Sequence, residues 1–506
     1  MKNNNLKKNI YYNIAYQILN LLMPLVTTPY IARVIGVNGV GIYSYTYSIV
    51  QYFILFVMLG LNNYGNRTIA KSKDNINEMK RNFWNIYAVQ FSCFVIVSCF
   101  YWLYIYLSEN EYKIFFIIQY LYILAAGIDI NWLFYGLEEF KITVTRNVII
   151  KITLMGTIFL FVKNKEDLIV YTILMSLSTV LSNGVLWKYQ KKLFGFAKPN
   201  PNEMIIHFKK NIILFIPVLA ISFYNIMDKI MVGKILNVTE VGLYENAEKI
   251  INVPLNILTS IGVAMLPHTT NLIANKKENI VIDYINKTMN ISLFFTIPMI
   301  VGICCIADKL VVIYLGDAFK DSIILVQFLS IVILFKIWAN IIRTQYLIPK
   351  EKDKAYILSV IIGAILNVIF NTLFINSIGT IGAVYGTIIA EFFVCMIQTI
   401  SVRRELPICQ YMKYCCKYTF NSFFMGIILL GERYLLDKNN INKYIYICII
   451  VLSGIAIYII LNCKSVKSIY NEIKKKIMLK KGIKYENCSS RDRLCWIVYC
   501  NFIKPK

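Results

Sequence analysis

Charged and amide side chains recur every three or four residues within the apolar segment 241–268. This spacing places them along one face of a helix. The face consists of Glu245, Glu248, Lys249, Asn252, Asn256 and Thr259. Two other apolar segments carry a comparable set: Ser222, Asn225, Asp228 and Lys229 in one, and Lys336, Asn340 and Arg343 in the other. Lysine and arginine form charge-assisted hydrogen bonds to phosphate oxygens, so these faces predict recognition of an anion such as a phosphate.

Charged residues also lie inside other apolar segments. The cations are Arg33, Lys151, Lys229, Lys249 and Lys336, and the acids are Asp129, Asp228, Glu245, Glu248 and Glu391. A charge facing lipid at mid-membrane costs at least about 2.5–3.5 kcal/mol, so we expect these side chains to face one another or a hydrated cavity. For any single cation, a structural ion pair or a lysine reaching towards the membrane surface explains the residue equally well. Their spread over both halves of the chain favours an anionic substrate.

Carboxylates inside the membrane are also candidates for binding a transported cation. Asp129, Asp228 and Glu245 are therefore candidate sites for a coupling Na⁺ or proton. Asn252 and Asn256 lie on the same helix face as Lys249 and are candidate ligands of a polar substrate group.

Several classes of protein are disfavoured by what the sequence lacks. There is no GxxxxGK[ST] phosphate loop, no HExxH or GxSxG motif, and no predicted outer loop longer than about 15 residues. The 13 cysteines and two histidines form no CxxC or metal-ligand pattern. We therefore expect neither an enzyme nor an ATP-driven pump, and no metal or cofactor.

The composition predicts the elements that position these residues. The 506-residue chain is 58% hydrophobic and 16% charged, whereas a soluble domain is roughly 25% charged. A run of about 20 apolar residues crosses a membrane as a helix. Fourteen such spans are predicted: 10–35, 41–65, 83–107, 114–136, 142–163, 168–189, 211–233, 241–268, 287–306, 322–345, 355–375, 379–400, 411–431 and 444–462. The predicted fold class is an all-α, polytopic membrane protein.

The net charge of +25 reflects how the chain is oriented in the membrane. With the N-terminus inside, the inner segments hold 39 of the 53 Lys and Arg residues and the outer loops hold nine. This asymmetry follows the positive-inside rule and predicts that both termini are cytoplasmic. The basic segments are expected to meet anionic membrane lipid, and a nucleic-acid partner is not expected.

The chain contains an internal repeat. At an offset of 201 residues, "RVIGVNGVGIYSYT" (33–46) aligns with "KILNVTEVGLYENA" (234–247), matching two valines, a glycine and a tyrosine. Parallel repeats are typical of transporters with a site between the halves. The predicted domains are an N-terminal six-helix lobe (1–190), a basic cytoplasmic linker (191–210), a C-terminal six-helix lobe (211–400), two further helices (401–462) and a basic tail (463–506).

Four stretches of the sequence resemble one known family. They are "PLVTTPYIARVIGVNGVGIYSYT" (24–46), "DINWLFYGLEEFKITVTRNVIIK" (129–151), "YNIMDKIMVGKILNVTEVGLYENAEKI" (224–250) and "IIRTQYLIPKEKDKAYI" (341–357). In their residues and in their order along the chain, they are similar to the Wzx-type lipid-linked oligosaccharide flippases of bacteria, which belong to the multidrug/oligosaccharidyl-lipid/polysaccharide exporter superfamily. The resemblance extends over about residues 8–460.

The resemblance implies two six-helix lobes around a central cavity, with two further helices after them. It implies a substrate of one oligosaccharide repeat unit on undecaprenyl pyrophosphate, moved from the inner to the outer leaflet of the plasma membrane for capsule, O-antigen or exopolysaccharide synthesis. It further implies coupling to Na⁺ or H⁺, and a glycan polymerase as a partner. Cationic residues that hold the pyrophosphate in the family correspond here to Arg33, Lys151, Lys229, Lys249, Lys336 and Arg343.

Two related functions remain as alternatives. A multidrug/cation antiporter of the same superfamily would share the lobes but favours an acidic cavity. A flippase for the peptidoglycan precursor lipid II is harder to separate from the first interpretation, because its substrate also carries a pyrophosphate.

Overall fold

The described residues of the computed structural model are 2–109, 111–439, 441–463 and 465–467, with side chains described from residue 22 except at 217, 224, 261, 263 and 264. These residues form helices and no β-strand. The helices are α1 (Lys2–Met58), α2 (Leu61–Lys71), α3 (Ile76–Leu107), α4 (Lys113–Gly127), α5 (Asn131–Gly136), α6 (Phe140–Phe161), α7 (Leu168–Leu193), α8 (Pro201–Ile235), α9 (Val238–Ala274), α10 (Glu278–Tyr314), α11 (Ser322–Leu329), α12 (Val332–Ile342), α13 (Asp353–Ile378), α14 (Thr380–Ser401), α15 (Ile408–Lys438) and α16 (Lys443–Leu461).

The helical, membrane-spanning fold class is confirmed. Eleven helices of the described chain are long and apolar enough to cross a membrane, or twelve if the two parts of α8, which meet at 46°, form one span. One continuous stretch, Leu22–Lys71, contains the end of the first predicted span and the whole of the second, and α15 is not among the eleven. The count of fourteen therefore stays a prediction, although every predicted span overlaps a helix.

The apolar cores follow the two halves of the chain. Two clusters of buried residues draw on the first half and include Val50, Trp132 and Tyr171. A third cluster contains residues from Val232 to Tyr458, including the inner faces of α15 and α16, together with Ala32 of α1. Each half thus packs mainly around apolar side chains of its own, as expected for two lobes, and α1 contacts the core of the second half. The exact domain limits stay a prediction, and residues 468–506 of the predicted tail lie outside the described residues.

Two local differences from the sequence prediction matter for the site. The predicted turn between the first two spans is reduced to one non-helical residue inside α1, Gly36, with φ 76°. Glycine is suited to this position because it adopts positive φ without a Cβ clash. The single predicted span 322–345 is divided into α11 and α12, and continues as a five-residue π-helix, Arg343–Leu347.

The fourth predicted span is also broken, between α4 and α5. The carbonyl groups freed at the break are bound by side chains of neighbouring helices. The Nε2 atom of Gln90 donates to the oxygens of Ala126 (2.7 Å) and Asp129 (2.9 Å), and Trp187 donates to Ile128 (2.9 Å). Buried backbone groups need such partners, so the break is an ordered feature of the first lobe.

We expect Gln90→Leu to destabilise this lobe. Gln90 is fully buried, and its Oε1 also accepts from Trp132 Nε1 at 3.2 Å. Leucine leaves the Asp129 carbonyl and the Trp132 indole N–H without this partner, at about 1–3 kcal/mol for each group left unsatisfied, whereas the Ala126 carbonyl keeps the backbone N–H of Asp129 at 3.3 Å. Thermal unfolding of the detergent-solubilised protein measures the loss. Ser92→Ala on the exposed side of α3 is the control, and equal melting temperatures of the two variants would contradict the role of Gln90.

Candidate functional site

A cluster of charges joins α8 to α9. Lys229 Nζ lies 2.6 Å from Glu245 Oε2 and 2.9 Å from Glu248 Oε2, and Lys249 Nζ lies 3.2 Å from Glu245 Oε1. The spacing of residues 245, 248 and 249 puts all three on one side of α9. Lys229 is the more buried of the two lysines: 17% of its side chain is exposed, compared with 38% for Lys249. Lys249 is therefore better placed to meet a ligand.

The ion pairs of Lys229 with Glu245 and Glu248 give this lysine a structural role. Its ammonium is held between two carboxylates that are 14% and 24% exposed. We expect Lys229→Met to destabilise the protein by up to about 3 kcal/mol, the low end of the range for breaking a buried ion pair. Lys320→Met, at an exposed pair with Asp317, is the control and is expected to have little effect. Equal thermal stability of the two variants would show that Lys229 is dispensable for folding.

A second group of polar residues lies on α12 and α14. Lys336 Nζ lies 3.4 Å from Glu391 Oε1, and the Glu391 side chain is only 3% exposed. Arg343, the first residue of the π-helix, stacks its guanidinium over the Tyr356 ring at 5.5 Å from the centroid. π-Helical turns are frequent at functional sites. Among the described residues no carboxylate lies within ion-pair distance of Arg343, so its charge is available to an anion.

Asp228 is the centre of a buried polar network. Its Oδ2 accepts from Tyr244 Oη (2.8 Å) and Thr387 Oγ1 (2.7 Å), and its Oδ1 accepts from Asn371 Nδ2 (2.6 Å). Only 4% of Asp228 is exposed. These three donors hold the carboxylate in place, and a carboxylate buried inside a membrane protein is a candidate for binding a transported cation.

This network opens into a small cavity shared with the cationic residues. The cavity, about 20 Å³, is lined by Asp228, Thr387, Lys336, Glu248 and Asn252. That volume accommodates about one water molecule. The structure thus brings Asp228, Asn252 and Lys336 together, as the polar faces predicted. Asn256, one turn further along α9, is exposed.

Asp129 lies in a different place, at the break between α4 and α5. Its Oδ1 accepts from the backbone nitrogen (2.8 Å) and Nδ2 (2.6 Å) of Asn131. Arg146 donates to Asn131 Oδ1 at 2.9 Å and to the Ser182 carbonyl at 3.0 Å. Asp129 is thus tied into a capping network, in which two donors of Asn131 already bind its Oδ1.

Arg146 was not among the predicted site residues. It falls within the predicted span 142–163, and in the structure it lies within α6 and is 7% exposed. It precedes Lys151 by five residues, and this spacing does not place the two cations on one helical face. Lys151 is half-buried on the same helix.

Arg33 lies at the junction of the two halves, away from the cluster on α9. Its guanidinium donates to the carbonyl of Ile313 near the end of α10. A cation there is favourable because helix C-termini carry partial negative charge. Tyr314 on the same turn donates to the Pro24 carbonyl at 3.3 Å. The arginine therefore links the lobes at the end predicted to face outwards, and the structure favours this contact over a position inside the cavity.

Known proteins are similar to this chain in sequence. The family model for "Polysaccharide biosynthesis protein" matches residues 6–273. The chain is 24% identical over 425 residues to a putative O-antigen transporter of Escherichia coli K12, covering 80% of this chain and 98% of the relative. It is 24% identical over 327 residues to a probable low-salt glycan biosynthesis flippase, Agl15, of Haloferax volcanii, covering 62% of this chain and 66% of the relative.

Solved structures are similar in fold. The lipid II flippase MurJ in an inward closed conformation has a TM-score of 0.70 at 16% identity, covering 91% of this chain and 100% of that chain. An inward-facing multidrug resistance MATE family transporter of the MOP superfamily has a TM-score of 0.57 at 12% identity, covering 79% of this chain and 96% of that chain. At these identities the likeness concerns the fold alone.

Proposed function

We propose that this chain, which belongs to the polysaccharide biosynthesis protein family, is a Wzx-type transporter that flips lipid-linked oligosaccharides across the plasma membrane. The observation that carries the proposal is the match over nearly the whole length of a relative named as a putative O-antigen transporter. The relative named as a glycan biosynthesis flippase supports the same substrate class. The solved MurJ structure is 16% identical to this chain, and a likeness at that level concerns the fold, so it does not favour lipid II as the substrate.

In this proposal the substrate is an oligosaccharide repeat unit on undecaprenyl pyrophosphate, moved from the inner to the outer leaflet. A pyrophosphate and the hydroxyl groups of a glycan cannot enter hydrocarbon without compensating partners. Lys249, Lys336 and Arg343 would bind the pyrophosphate, and Asn252 and Asn256 would bind polar groups beside it. The lipid tail stays in the bilayer while the head group passes between the lobes.

Transport would be driven by a cation gradient through Asp228. Its burial and its two hydroxyl neighbours support binding of Na⁺ or H⁺, and the shared cavity brings the cation near Lys336. Alternating access then exposes the site to one side of the membrane at a time. Both termini would be cytoplasmic, and a glycan polymerase would receive the product outside.

Glycan accessibility in cells tests the proposed function. Removing the protein from a cell that makes the glycan is expected to leave lipid-linked oligosaccharide on the inner leaflet, protected from a membrane-impermeant reagent that modifies sugars. Restoring the wild-type protein should make it accessible. Equal accessibility with and without the protein would contradict the proposal.

A further inference from the structure

The two copies of the internal repeat contact each other directly. Gly41 on α1 and Gly242 on α9 are equivalent in the repeat, and each lies against the backbone of the other copy. A Cβ added at Gly41 would overlap the carbonyl of Val238, and one added at Gly242 would overlap the carbonyl of Val37. Each added atom would also lie 3.1 Å from the backbone nitrogen of the other glycine. The contact is reciprocal, as a pseudo-twofold axis between the lobes requires.

The neighbouring residues follow the same symmetry. Asn38 Nδ2 donates to Thr239 Oγ1 at 3.2 Å, and these positions are also equivalent in the repeat. Further from the axis, the link from Arg33 to Ile313 joins the lobes at the same end. The contact region thus closes the end of the structure that is predicted to face outwards.

Only glycine permits this closure. The atoms that a side chain would meet are backbone oxygens and nitrogens of the opposite helix, which cannot rotate away as a flexible side chain can. Small residues allow membrane helices to approach this closely. At the two glycines no side chain of one helix inserts into the other helix. The lobes can therefore separate here without a side chain having to withdraw.

We propose that Gly41 and Gly242 are the closing contact of the outer gate, and that they position the lobes in the state whose substrate site is open to the cytoplasm. The inference rests on the proposed alternating access. A side chain at either position raises the free energy of the outside-closed state and leaves the outside-open state unaffected. The protein then spends more time in the outside-open state and returns less often to the state that binds substrate from the cytoplasm.

A zinc bridge tests the contact without requiring transport. In the full-length Asn38→His/Thr239→His variant, Zn²⁺ is expected to bind between the imidazoles and to raise the melting temperature. Single-histidine variants are the controls and should respond less. Adding Gly41→Val to the double-histidine variant is expected to abolish the zinc response, whereas Gly184→Val should retain it, because a Cβ at Gly184 meets nothing within 4 Å.

Transport supplies the second readout. Gly41→Ala and Gly242→Ala are each expected to slow flipping by about tenfold or more, because the closed state becomes a minor population, and Gly184→Ala should flip normally. A zinc response that survives Gly41→Val, or normal flipping by both alanine variants, would overturn the gate. If the wild-type protein flips no lipid-linked oligosaccharide while the zinc responses follow the expectation, the gate contact stands and the proposed function fails.

Discussion

Arg343→Ala is expected to reduce flipping of lipid-linked oligosaccharide by about 10- to 150-fold. The range corresponds to the loss of about 1.5–3 kcal/mol for a hydrogen bond to a charged group. Within the described chain no carboxylate lies within ion-pair distance of Arg343, and the nearby Glu391 keeps Lys336 at 3.4 Å, so removing Arg343 breaks no ion pair and the protein should remain in the membrane at normal levels. Initial flipping rates at matched protein amounts measure the effect.

Two comparisons separate a substrate contact from general electrostatics. Lys350→Ala removes a cation that pairs with Glu278 at 3.0 Å, and it should flip nearly normally. Arg343→Lys keeps the charge but loses the planar guanidinium, so it should recover only part of the rate. Lys249→Ala is expected to resemble Arg343→Ala. Normal flipping rates for both Arg343→Ala and Lys249→Ala would exclude these two residues as ligands of the pyrophosphate.

Asp228→Asn is expected to remove the dependence of flipping on a cation gradient. The amide has the same size and keeps an acceptor oxygen for Tyr244 and Thr387, but it lacks the negative charge that attracts a cation. A gradient of Na⁺ or of protons that accelerates the wild-type protein should leave the variant at its gradient-free rate. Initial flipping rates with each gradient, and with none, measure the difference.

Asp129→Asn is the matched control for this substitution. Asp129 is held by Asn131 beside Arg146, so the variant should keep the acceleration by the gradient. If Asp228→Asn responds to the gradient as the wild-type protein does, Asp228 is not the coupling site. If Asp129→Asn alone loses the response, coupling belongs to the first lobe.

Hydropathy and helical spacing predicted much of the fold. Apolar runs of about 20 residues can only be helices in a membrane, and the 3.6-residue period placed Glu245 and Lys249 on one face. The repeat also located Gly41 and Gly242, although the sequence alone could not show that the two copies touch. That contact depends on how the lobes dock.

Charge pairing could not be predicted from the sequence. Lys229 and Lys249 are both lysines near a helix face, but only the packing of α8 on α9 puts Lys229 between two carboxylates. Arg33 lies in a strongly marked motif and nevertheless contacts a helix end in the other lobe. Arg146 was not predicted as a site residue because its partners are distant in the sequence: Asn131 follows the break after α4, and the Ser182 carbonyl lies on α7. These outcomes depend on contacts between distant segments, which helical periodicity does not report.

Translocation in vesicles tests the central claim most directly. The purified protein is reconstituted with a fluorescent undecaprenyl-pyrophosphate oligosaccharide, and an impermeant quencher reports the fraction exposed outside. We expect the wild-type protein to speed the exchange between leaflets well above protein-free vesicles, and a Na⁺ or proton gradient to speed it further. Exchange no faster than in protein-free vesicles, with either gradient and over several glycans, would contradict the assignment as a flippase.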